Sequence, residues 1–163
     1  MNEPKKINVL ILGSGGREHA LAWKIQQSPL INNLYVAPGN TGTNLIAVNL
    51  EININNYTEV KSAIISNSIT ILIVGPEKPL VSGLHDKLID DPEVQNLQVV
   101  GPKKEAAKLE GSKLFAKKFM QRHSIPTADF QSFNEKNIVE AKNHLKHMSS
   151  PFVIKADGLA AGK

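Results

Sequence analysis

Hydrophobic positions along the chain fall into short unbroken runs separated by longer amphipathic stretches. Ile7 to Leu12 is apolar but for Asn8 and stops at Gly13-Ser14-Gly15-Gly16. Arg17 to Gln27 follows with Leu21 and Ile25 four apart, the spacing of one helix face, and Pro29 closes it. Asn33 to Ala37 reads as a second strand, ending in the turn Pro38-Gly39-Asn40-Thr41-Gly42-Thr43. Ala47 to Leu50 reads as a short third strand and Tyr57 to Ser66 as a helix. Ile69 to Val74 is the clearest buried strand, and it stops at Gly75-Pro76-Glu77. Leu80 to Ile89 then predicts a helix and Leu97 to Val100 a strand halted by Gly101-Pro102.

Strands that are apolar throughout, alternating with helices, predict a parallel sheet covered on both faces. Right-handed crossovers put the loops after the strands on one edge. The glycine-rich turns at 13–16, 39–42 and 75–77 all follow strands, so they are expected to meet at the carboxyl edge, where open α/β sheets bind ligands. Gly101-Pro102 is expected to be a domain border, giving a Rossmann-like domain over 1–102 and a second, unfinished α/β unit over 103–163. In that second part Lys103 to His123 predicts one long helix. Asp129 to Phe133, Glu135 to Met148 and Phe152 to Ala156 predict strand, helix and strand.

Composition narrows the class. With 163 residues, 41% hydrophobic and 21% charged, the chain can build a core and is not disordered. The formal net charge of +4 is spread along the sequence, without a basic stripe interleaved with aromatics, which argues against nucleic acid. There is no cysteine, so disulfide and thiolate chemistry are excluded. The start MNEPKKINVL lacks the apolar stretch of a signal peptide, and no apolar run approaches the ~20 residues that span a bilayer. A soluble, cytoplasmic protein with no membrane partner is the expectation.

The first candidate site is Gly13-Ser14-Gly15-Gly16-Arg17-Glu18. Glycines at a strand-to-helix turn let the backbone approach an anion, and the helix N-terminus favours negative charge. It is not the dinucleotide-binding fingerprint. Glu18 stands where the third glycine belongs, and the second strand ends in Ala37-Pro38 with no acidic residue to hold a ribose. Asn40, Pro76 and Glu77 flank this turn; an amide and a carboxylate at a strand edge suit sugar hydroxyls or an amine, though Pro-Gly and Gly-Pro also form ordinary turns.

The second candidate is Lys155-Ala156-Asp157-Gly158-Leu159-Ala160-Ala161-Gly162-Lys163, a strand running into a glycine-rich loop with a lysine at each end. Asp157 occupies the position of the first glycine of a P-loop, so this is a different phosphate loop. Natural domains rarely stop in such a loop, and the sequence is expected to be the front of a larger nucleotide-using enzyme. Lys113, beside Ser112 on the long helix, is a further phosphate candidate. His144 and His147 are three apart, but nothing completes a metal site around them. No nucleophile–base pair stands out.

Five segments in order are distinctive: VLILGSGGREHALAWK, APGNTGT, IVGPEKPLVSGL, VVGPKKEAAKLEGSKLFAKKFMQRHSIPTA and VIKADGLAAGK. Together they closely resemble the glycinamide ribonucleotide synthetase (phosphoribosylamine–glycine ligase) family of ATP-grasp enzymes. The resemblance implies a Rossmann-like domain followed by the start of an ATP-grasp domain. It implies ligation of 5-phosphoribosylamine to glycine in purine biosynthesis, with ATP going to ADP and phosphate through a glycyl phosphate.

By the same resemblance Gly13, Ser14, Gly15, Gly16, Arg17, Glu18, Asn40, Pro76 and Glu77 form the phosphoribosylamine site. Lys113 and Lys155 hold nucleotide phosphates, Lys155 also acting in catalysis, and Asp157 to Lys163 begins the mobile loop over them. Magnesium or manganese is implied, with ligands expected beyond Lys163. Such chemistry needs positioning and charge neutralisation rather than acid–base catalysis. The alternatives are another purine-pathway ATP-grasp ligase or carboxylase, which would differ in the sugar-site turns, and a non-catalytic nucleotide-binding module.

Overall fold

Five parallel strands run side by side in the order β3-β2-β1-β4-β5. They are β1 (Ile7–Gly13), β2 (Ile31–Pro38), β3 (Val48–Asn49), β4 (Ile71–Val74) and β5 (Gln98–Val100). This computed structural model describes residues 6–159. The chain divides into two compact units, Met1–Ala107 and Lys108–Lys163, and the sheet lies in the first.

β1 is central because it is apolar on both sides. Its register sets Ile11 between Val36 and Ile73, and Leu12 between Ala37 and Val74. Leu10 and Leu12 join Val60, Ile64, Leu72, Leu80, Leu84 and Leu88 on one face. Val9 and Ile11 join Ala22, Leu34 and Val36 on the other. Alternate residues of one strand thus enter two separate cores, which is why the run does not alternate with polar residues. Each such side chain contributes roughly 1.5–3 kcal/mol on burial. The polar exception, Asn8, is satisfied at the far end of the sheet: its amide donates to Asn67 O at 2.8 Å and its carbonyl accepts from Asn32 at 3.0 Å.

The covering helices are α1 (Gly16–Ile25) on one face, and α2 (Tyr57–Ser66), α3 (Glu77–Val81) and α4 (Leu84–Ile89) on the other. The single helix expected over Leu80 to Ile89 is two. Gly83 takes φ +87°, a left-handed conformation that ends α3 and turns the chain into α4. His85 is buried in α4, with Nδ1 2.7 Å from Gly101 O, so that nitrogen carries the proton and clasps the end of β5.

Beyond β5 the expected long helix is also two, α5 (Lys104–Gly111) and α6 (Lys113–Arg122). The break is Ser112, extended at φ −137° and ψ 117°, whose hydroxyl accepts from Phe115 N–H and starts a new helix. Asp86 accepts from Lys104 N–H at 2.8 Å and so fixes the first turn of α5 to the first unit.

The second unit carries α6 and α7 (Ile138–His147). The strands expected at 129–133 and 152–156 do not form: both segments are irregular. A strand exists only through its ladder. Among the described residues no strand lies alongside either segment, and Val153 and Ile154 remain exposed.

Candidate functional site

Two turns are stitched onto the end of β1. Gly75 N–H, leaving β4, donates to Leu12 O at 3.0 Å, and Gly39 N–H, leaving β2, donates to Gly13 O at 3.2 Å. The turns after β1, β2 and β4 therefore meet at the carboxyl edge of the sheet, where the order of connection reverses across β1. Gly13, Ser14, Gly15 and Gly16 line the floor. The N–H groups of Gly16 and Arg17 lie in the first turn of α1, at the positive end of its dipole.

Arg17 reaches across this edge. Its Nη2 donates to Gly75 O, its Nε donates to Glu18 Oε1 at 3.0 Å, and Nη2 stands 3.8 Å from Glu77 Oε1. Glu77 opens α3 directly after Pro76. Asn40 approaches from the β2 side, its amide donating to Ser14 O at 2.9 Å. All nine residues expected here from the first unit are thus brought to one place. Glu18 differs from the rest: it is 5% exposed and its Oε2 accepts from Gly15 N–H at 2.8 Å.

Sequence reasoning missed the residues that hold Asn40. Thr43 is fully buried, and its Oγ1 accepts from Asn40 N–H at 2.7 Å while Thr43 N–H donates to Asn40 Oδ1 at 2.9 Å. Asn49, at the end of β3, closes the network: its Oδ1 lies 2.8 Å from Thr43 Oγ1 and its Nδ2 donates to Asn40 O at 2.9 Å. The reciprocal Asn40–Thr43 pair has the spacing of a capping box, which was the legible signal. Asn49 left none. Gly42 admits His19, whose ring would lie 2.4 Å from a Cβ there, so the His19 side chain packs under the same turn.

The second unit forms a separate cluster. Asp157 accepts from Ser112 Oγ at 2.9 Å and from Leu114 N–H at 3.2 Å, so its carboxylate sits at the start of α6. The backbone bond from Leu114 holds its carboxyl below the ordinary range. Lys113 Nζ donates to Gly158 O at 2.7 Å, and Gly158 takes φ +89°. Lys113 and the first loop residues are therefore in direct contact. Lys155 is exposed on the irregular run that leads into them, not on the strand expected there, and Leu159 is also exposed. Ala160, Ala161, Gly162 and Lys163 lie outside the described residues.

Among the described residues no three His, Cys, Asp or Glu side chains are grouped to hold a metal ion. No described helix is long and apolar enough to cross a membrane.

Comparison with known proteins agrees with this geometry. Residues 7–110 match the phosphoribosylglycinamide synthetase N domain, and residues 111–163 match the ATP-grasp (A) domain of the same synthetase. Phosphoribosylamine–glycine ligase of Mesorhizobium japonicum is 48% identical over 157 residues, 96% of this chain and 36% of that protein. The Escherichia coli protein of the same name is 46% identical over 159 residues, 96% and 36% of the two chains. The crystal structure of the Thermotoga maritima phosphoribosylamine–glycine ligase superposes with a TM-score of 0.69 at 34% identity, covering 96% of this chain and 34% of that one. The chain thus spans about a third of the length of the curated relatives it matches. A parallel sheet with its three turns meeting at the end of β1, in residues that match the synthetase N domain, followed by residues that match its ATP-grasp domain, places this chain in the phosphoribosylglycinamide synthetase family.

Proposed function

We propose that the first unit binds the sugar phosphate of an ATP-dependent ligase that joins 5-phosphoribosylamine to glycine. The observation that carries this reading is the meeting of Arg17, Asn40 and Glu77 over the Gly13–Gly16 turn. The backbone N–H groups that open α1, with the Arg17 guanidinium beside them, suit a phosphate. The Asn40 amide and the Glu77 carboxylate suit the hydroxyls and amine of the sugar. In this reading residues 1–102 are the sugar-phosphate domain, and 103–163 are the connecting helix and the start of the ATP-grasp domain.

ATP, when bound with its divalent metal, supplies the phosphoryl group that makes the glycine carboxylate reactive towards the amine. The residues present fit its phosphates: Lys113 and Lys155 are cationic, and the Asp157 carboxylate is already held by Ser112 and Leu114. Lys113 ties the base of the loop by its bond to Gly158 O, while Lys155 stands two residues before Asp157 and offers its charge to developing negative oxygen.

Gly16→Val in the full-length enzyme tests the sugar-phosphate assignment. A Cβ at Gly16 meets nothing within 4 Å, so the fold accommodates the side chain while the anion does not. The expected result is a KM for 5-phosphoribosylamine raised about tenfold or more, equivalent to about 1.4 kcal/mol, with the KM for ATP unchanged. A raised ATP constant with an unchanged sugar constant gives the turn to the other ligand.

A further inference from the structure

The glycines of the first site surround a side chain of the protein itself. A Cβ on Gly13 would lie 2.6 Å from Glu18 Cγ and 2.9 Å from its Oε2; one on Gly15 would lie 3.0 Å from Oε2. One on Gly75, across the sheet edge, would lie 2.3 Å from Glu18 Oε1. These three positions form a socket, and the buried Glu18 carboxylate fills it. Both of its oxygens are used: Oε2 accepts from Gly15 N–H at 2.8 Å and Oε1 from Arg17 Nε at 3.0 Å.

We propose that Glu18 is a positioning residue that aims the Arg17 guanidinium across the sheet edge, rather than a group that touches the substrate. This rests on the sugar-phosphate reading of the turn. Arg17 is largely exposed, with a side-chain accessibility of 60%, and an arginine so placed ordinarily samples many rotamers. Here one edge of its guanidinium is held by a carboxylate that cannot move, because backbone at Gly13, Gly15 and Gly75 closes around it. Its Nη2 is thereby set on Gly75 O, across the sheet edge. Glu18 also engages Gly15 N–H, so one carboxylate fixes both the turn and the guanidinium. The residue that spoils the dinucleotide fingerprint is therefore the one that organises this turn for a different ligand.

Glu18→Gln tests the proposal in the full chain, with ribose 5-phosphate as the probe. An amide has one acceptor oxygen where Glu18 uses two, so one of the two donors would face an N–H group. Calorimetry should show Glu18→Gln and Arg17→Lys each weakening ribose 5-phosphate binding by about tenfold, the loss of one charge-assisted hydrogen bond. The double variant should be no weaker than Arg17→Lys alone, because Glu18 acts through Arg17. The Arg17 Nε–H should exchange more slowly in the parent than in Glu18→Gln, without any ligand.

Gly15→Ala is the second variant if Glu18→Gln does not fold. Its backbone at φ −88° accepts alanine, and its Cβ meets only Glu18. It should weaken binding several-fold, and normal binding by a folded Gly15→Ala overturns the proposal. Normal binding by Glu18→Gln, or losses that multiply in the double variant, overturns it too. Failure of the parent to bind ribose 5-phosphate, or indifference to Arg17→Lys, overturns the sugar-phosphate reading and this inference with it. The Nε–H signal separates the cases, since its loss in Glu18→Gln reports the Glu18–Arg17 contact whether or not a sugar binds.

Discussion

Thr43→Val removes one oxygen from the interior and nearly nothing else. The hydroxyl accepts from Asn40 N–H at 2.7 Å and lies within donating distance of Asn49 Oδ1, 2.8 Å, and Asn40 O, 2.9 Å. Valine fills the same volume, so no cavity term arises and the cost is that of orphaned polar groups. Thr43 is fully buried, and water cannot replace its oxygen without displacing the turn. The stranded Asn40 N–H costs about 1–3 kcal/mol, and the lost donor to half-buried Asn49 roughly 0.5–1. A total near 2–3 kcal/mol is expected. In a unit of 107 residues this lowers Tm by roughly 10–20 °C. Urea and thermal unfolding followed by circular dichroism measure it, with Thr43→Ser as the control that keeps the oxygen and loses only a methyl group, about 1 kcal/mol. A Thr43→Val loss below ~0.5 kcal/mol would show that solvent reaches this turn and that Asn40 is not held by buried bonds.

Acid stability offers a second check. Lys61, and then Tyr57, hold the Asp91 carboxyl down at about 2. Because this folded value lies below the ordinary 3.8, the network's contribution is complete above pH ~4 and is lost as pH falls from there through about 2. Asp91→Asn should flatten that limb of the stability profile, and an unchanged limb would assign the acid sensitivity to other carboxylates. At the alkaline end burial, then Asp91, pushes Tyr57 up to about 12, so stability should decline above pH 10. In the second unit Asp157→Asn removes a charge from the start of α6. Hydrogen exchange at Leu114 should quicken about two- to fivefold, matching 0.3–1 kcal/mol of helix-terminus interaction. No change there would mean that Ser112 caps the helix without help.

What was legible divides along the line between local pattern and long-range contact. The apolar runs at 7–12 and 69–74 needed only hydrophobic periodicity, and the meeting of the three turns needed only the rule of right-handed crossovers. Ser112 was read inside one long helix, and its capping bond to Phe115 N–H shows only in the structure. Asn49 could not be found, because its role depends on β3 lying next to β2. Glu18 was read as one more site residue of its turn, because a socket built partly from Gly75 appears only once β4 lies beside β1. The run 152–156 has strand composition, yet composition does not supply a partner.

The order of strands by length carries a consequence for solubility. The two longest strands, β1 and β2, lie inside the sheet, and its rims are β3 of 2 residues and β5 of 3. A rim of 2 or 3 residues offers too few unpaired backbone groups to recruit a strand from another molecule. β3 pairs with Tyr35 and Val36, so among the described residues the first half of β2 is a longer stretch of open rim. Asn32 and Asn33 occupy that stretch, with their amides turned onto Asn8. Asparagine is a poor strand former and spends its hydrogen bonds locally, which makes this pair a gatekeeper against sheet-to-sheet aggregation.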